Sequence, residues 1–188
     1  MKLKGKIKDF FKRNAPEYIH LCASWQKYWI IYGGSKALLR SPYFHFSLLF
    51  SSILYFCWRA PDSKAWFDII LSAIPNILGF TLGGYAILLA FGDEKFREFI
   101  SGPEKDGTPS PFMSVNSSFV HFIVIQIVSL LLAIIGVAFD IDSGILAWIG
   151  LLSFTYAIMT AIAAALGILR LADWFDRFKS ANKKCIQK

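Results

Sequence analysis

Residues 65–92 read AWFDIILSAIPNILGFTLGGYAILLAFG, and between Asp68 and Asp93 they hold no Asp, Glu, Lys or Arg. An uncharged apolar run of that length exceeds what a soluble core helix needs and is long enough to cross a bilayer. Working outward, two similar runs follow, at 117–139 and 143–169, and a shorter one at 42–58 precedes it. The chain has 188 residues, 55% hydrophobic and only 18% charged, against about 25% charged in soluble domains. These features predict an all-α integral membrane protein with four transmembrane helices. The domain map is 1–41 as a cytoplasmic and interfacial region, 42–169 as a four-helix transmembrane domain with loop 93–116 inside the cell, and 170–188 as a basic tail.

Charge placement supplies the orientation. Of 20 Lys and Arg, only Arg59 and Lys64 lie between the first and second runs, and none lies between the third and fourth. The others fall before residue 42, within 93–116 and after 169. The positive-inside rule then places both termini and the 93–116 loop in the cytoplasm of a bacterial inner membrane. The same basic ends suit anionic lipid headgroups, which argues against direct nucleic-acid binding as the reason for the net charge of +7.

The N-terminal region reads as two interfacial helices. Leu3, Ile7, Phe10 and Phe11 lie near one face of a basic stretch that includes Lys4 and Lys8. After Pro16, Trp25, Trp29 and Tyr32 repeat at helical spacing, with Gly33 and Gly34 as a stop. The first run, at ~26 Å, can only cross nearly upright. The second is expected to continue as a helix through Phe96, Arg97 and Phe99. The tail continues the fourth run, with Trp174 and Phe178 on one side. Lys4, Lys8, Trp25, Trp29, Phe96, Arg97, Phe99, Trp174 and Phe178 are the expected surfaces for lipid or for a soluble cytoplasmic protein.

Small residues mark the expected helix contacts. Gly79 and Gly83 form GxxxG, extended by Ala86; the fourth run carries Gly150, Ser153, Ala157 and Ala161. Close approach through small residues drives association in lipid, so both rows serve either packing within the protomer or a homo-oligomer interface. Pro75 removes a helical hydrogen bond in mid-span, and Asn76 beside it needs a polar partner. Gln126 in the third run falls at a similar depth and is the expected partner. Pro75, Asn76 and Gln126 are accordingly candidates for a gate or a polar ring in an oligomeric channel. His121 is placed near the end of its span, within reach of headgroups.

No carboxylate, Lys or Arg lies near the centre of a run, which weighs against ion-coupled transport. Cys22, Cys57 and Cys185 are far apart and fit no metal spacing, so neither a metal nor a cofactor is expected. Arg40 and His45 match an R-x4-H ribonuclease spacing, but Pro42 interrupts it at the entry to a span. Nothing else has the form of a catalytic motif. Four short-looped spans, aromatic interfacial helices, cytoplasmic tails and no catalytic motif together resemble membrane components of bacterial antiphage systems. Examples are the membrane subunit of the Kiwa system and the accessory membrane proteins encoded beside type VI CRISPR nucleases. That resemblance implies a non-enzymatic homo-oligomer of the inner membrane that senses infection or perturbs the membrane with a soluble partner. The alternative is an oligomeric ion channel.

Overall fold

The computed structural model describes residues 15–57, 65–102 and 108–186. Lys4, Lys8 and the expected helix around them lie outside the described residues. Every regular element among the described residues is helical: α1 (Pro16–Tyr32), α2 (Gly34–Arg40), α3 (Pro42–Cys57), α4 (Trp66–Ala90), α5 (Glu94–Ile100), α6 (Pro111–Ala138) and α7 (Ile145–Ile186). Three of these, α4, α6 and α7, are long and apolar enough to cross a membrane. This is a membrane protein by those three helices. At 16 residues, α3 spans ~24 Å, short of the ~30 Å hydrocarbon core.

α7 is the central element. It packs against α3 on one side and against the α4–α6 pair on the other, while α1 lies on α6. The helix is continuous from the fourth apolar run through the tail, because nothing between Gly167 and Arg177 breaks it. The third apolar helix starts at Pro111 rather than 117. Ser110 caps it by accepting from the Met113 amide at 3.2 Å, and Pro111 fits the first turn, where its missing N–H has no helical partner to lose. Part of the expected irregular loop is therefore helix.

The expected continuation of α4 into 93–100 is not made. Gly92 takes φ +84, and a Cβ there would stand 2.5 Å from the Phe96 ring, so the chain turns sharply and only glycine fits. Asp93 then caps a separate α5, accepting from the Phe96 amide at 2.9 Å and pairing with Lys179 of α7. The turn swings Phe96 and Ile100 inward, against Leu88, Phe119 and Leu171.

Two cores result. At the α6–α7 turn, Trp66 wedges between Gly136 and Gly150, where added Cβ atoms would lie 2.8 and 2.0 Å from its ring. Its indole N–H donates to the Ile141 carbonyl at 2.7 Å. Phe67, Ile70, Ile74 and Leu151 complete that cluster. At the opposite, basic end, Phe96 meets Phe91, Phe175 and Phe178 at ring distances of 6.1, 5.0 and 5.6 Å.

Candidate functional site

Between the two cores lies a layer of buried polar groups. Ser47 and Ser51, at i and i+4 on α3, are fully buried and face α7, where Thr155 donates to the Ser47 carbonyl at 3.2 Å. This small-x-x-x-small pair lets two backbones approach closely. The pair is legible in the sequence as two serines four residues apart within an apolar run.

His121 is the centre of the layer. It is 1% exposed, not at a span end, because α6 begins six residues earlier than expected and α1 covers the site. Tyr28 Oη lies 2.7 Å from Nδ1 and Tyr156 Oη 3.0 Å from Nε2. Tyr32 stacks on the imidazole at 3.9 Å between ring centroids, with its hydroxyl 3.4 Å from that of Tyr156. A neutral ring satisfies both hydrogen bonds, one as acceptor and one as donor. Burial, then the neighbouring Tyr32, pushes the Tyr28 hydroxyl up to about 12, so Tyr28 stays protonated. The cluster therefore moors α1 to the bundle. The expectation of a purely interfacial helix is corrected on this face: Tyr28 is buried, Trp29 is half-buried, and Trp25 remains exposed.

Gln126 does not meet Asn76. It is fully buried, and its amide donates to Thr81 Oγ1 at 2.9 Å. Thr81 lies five residues beyond Asn76, about 140° around the helix, so the two cannot both face α6. Asn76 is exposed and donates to the Ser72 carbonyl of its own helix at 3.2 Å. Among the described residues, Gln126 Oε1 and Ser129 Oγ are buried without a hydrogen-bond partner. Pro75 is exposed, and α4 runs through it without interruption.

The two small-residue rows part company. On α7, Gly150 and Ala157 are buried inside the protomer, Ser153 donates to the Gly150 carbonyl at 2.8 Å, and Ala161 is half-buried. On α4, Gly79 and Gly83 have nothing within 4 Å of an added Cβ. Ser72, Asn76, Gly79, Gly83, Ala86 and Ala90 repeat at alternating spacings of four and three, and all are exposed.

Of the expected docking residues, Phe96 is fully buried and belongs to the core, for the reason given by the Gly92 turn. Arg97 and Phe99 are exposed, while Trp174 and Phe178 are half-buried. Phe99, Trp174, Arg177 and Phe178 border an apolar groove of about 460 Å³. Arg40 ends α2 and His45 lies on α3, with the extended Ser41 between them, so the R-x4-H pair does not share one helix. Among the described residues, no group of three His, Cys, Asp or Glu could hold a metal. No protein-family model, curated protein or solved structure matches the chain.

Proposed function

We propose that the chain is a homo-oligomeric, four-span protein of the bacterial inner membrane, non-enzymatic, acting as a sensor, scaffold or effector with a soluble cytoplasmic partner. The antiphage resemblance makes defence its setting. The observation that carries this reading is the open α4 face. A row of glycine, alanine, serine and asparagine pointing away from its own protomer invites a second helix to approach closely. Asn76 sits ten residues, ~15 Å, into α4, where an amide with spare hydrogen-bonding capacity favours a polar partner over lipid. The same residue of a second copy supplies one. α3 is the fourth span in this reading, crossing upright with Arg40 at its inner end.

Arg97, Phe99 and the groove beside Trp174 and Phe178 would face the cytoplasm and receive the partner. Purification from cells that also carry the native gene neighbours, followed by intact mass in lipid, tests this. The expected result is a multiple of the chain mass plus a soluble protein, with Phe99→Ala together with Arg97→Ala releasing that protein by about 2 kcal/mol or more while the oligomer persists. A lone monomer contradicts the reading. A channel is the second reading, favoured by the exposure of Asn76 alone among the intramembrane polar candidates. It predicts ion flux in liposomes that Asn76→Leu abolishes.

A further inference from the structure

A cleft of about 280 Å³ lies between α6 and α7 at the basic end, roofed by the α1–α2–α3 connection. On α7 its lining runs from Tyr156 to Arg170, fourteen residues or ~21 Å along the axis. Phe119 and Phe122 form its floor, while Ala163 and Gly167 keep it open. A Cβ at Gly167 would lie 3.7 Å from the Phe119 ring.

Ser41, Tyr43 and Ser114 bring hydroxyls to the lining near the starts of α3 and α6, at the same end of the bundle as Arg170, whereas the deeper hydroxyls are already used. Thr160 Oγ1 donates to the Ala157 carbonyl at 2.7 Å, and Ser118 Oγ to the Ser114 carbonyl at 3.0 Å. The Tyr156 hydroxyl belongs to the His121 cluster. The deep part therefore asks nothing polar of an occupant. The mouth differs. Arg170 is exposed there and has no carboxylate partner among the described residues, since Asp173 pairs with Arg177 and Asp93 with Lys179. A slot walled in part by Phe119, Phe122, Ala163 and Leu166, with one unpaired guanidinium and free hydroxyls at its rim, matches a molecule with one polar, anionic end and a hydrocarbon tail. A soluble anion would satisfy Arg170 and leave the slot unfilled.

We propose that this cleft is a binding site for an anionic phospholipid, its phosphate on Arg170 and one acyl chain lying along Phe119 and Phe122. The assignment rests on the reading that α6 and α7 cross the membrane with their basic ends at the inner surface. It is independent of oligomerisation, so a monomer that binds lipid here would sink the oligomer reading and leave this one standing.

Native mass spectrometry of the full chain in detergent, titrated with phosphatidylglycerol or with phosphatidylcholine of the same acyl chains, tests the site. Phosphatidylglycerol should be retained about fivefold more tightly, the scale of one cation–headgroup contact. Arg170→Gln should remove that preference, and Lys95→Gln, exposed on α5 and outside the cleft, should keep it. Gly167→Leu should weaken both lipids by filling the slot. Equal retention of the two lipids by the wild type, or an unchanged preference in Arg170→Gln, overturns the proposal. Arg170 is exposed, so its substitution leaves folding intact and the result stands even if Gly167→Leu fails to fold. Displacement of the lipid by glycerol phosphate alone would assign the site to a soluble anion and also overturn the proposal.

Discussion

Gly150 and Gly83 look alike in the sequence, each a glycine in a long apolar helix, and the structure uses them in opposite ways. Gly150, with Gly136 across from it, accommodates the indole of Trp66. Gly83 and Gly79 accommodate nothing in the protomer. The parent helices differ likewise: 39% of the most apolar window of α7 is buried, against 17% in α4. Small residues in membrane helices permit close approach, but only the surroundings say whether the approaching body is a side chain of the same chain or another molecule.

The comparison can be broken most forcefully at Gly150. Gly150→Val places atoms inside the Trp66 ring position, and overpacking of this kind costs about 1–3 kcal/mol. A lowered melting temperature in detergent is expected, whereas Gly83→Val should melt like the wild type. Equal losses would erase the distinction between the two faces.

His121 probes the polar layer between them. His121→Phe removes both hydrogen bonds and leaves Tyr28 and Tyr156 buried without them, at about 1–3 kcal/mol. Hydrogen exchange along α1 should accelerate more than exchange in α4. Uniform acceleration would mean that the cluster does not specifically moor α1.

Gln126 is expected to matter less. Gln126→Met loses the bond to Thr81 but also removes the orphaned carbonyl, so its melting should change by less than about 1 kcal/mol equivalent. A large loss would show that Oε1 has a partner in the membrane.

The smallest effect falls at Asp93, whose side chain is exposed. Its hydrogen bond from Lys179, then that from the Phe96 amide, holds its carboxyl below the ordinary range. A depressed folded value means the contribution is present above the unfolded carboxyl range and fades as pH falls through the folded one. Asp93→Asn should flatten the acid side of the stability profile slightly, and high salt should mask the difference.

Much of the fold was legible because a long uncharged apolar run is a strong signal. The run quoted at 65–92 became α4 almost as read, and the apolar runs at 117–139 and 143–169 lie within α6 and α7 but for a few residues at the turn between those two helices. The boundaries at Pro111 and Gly92 were less legible, since a capping Ser-Pro pair and a single glycine turn leave hydropathy nearly unchanged. Those two boundaries decide where His121 and Phe96 go. A histidine within an apolar run was itself a signal that polar partners exist, but Tyr28 lies 93 positions away and no local pattern joins them. Likewise, Asn76 and Gln126 agree in depth and disagree in azimuth, which depth arguments cannot detect.

The central claim is that α4 presents an unfilled helix-packing face while α7 has filled its own. The most direct measurement is the intact mass, in lipid, of the chain carrying both Gly79→Leu and Gly83→Leu, beside its melting temperature. The account predicts that the wild-type oligomer falls to monomer with the melting of the protomer unchanged. An oligomer that survives both substitutions, or a protomer that unfolds because of them, would contradict it.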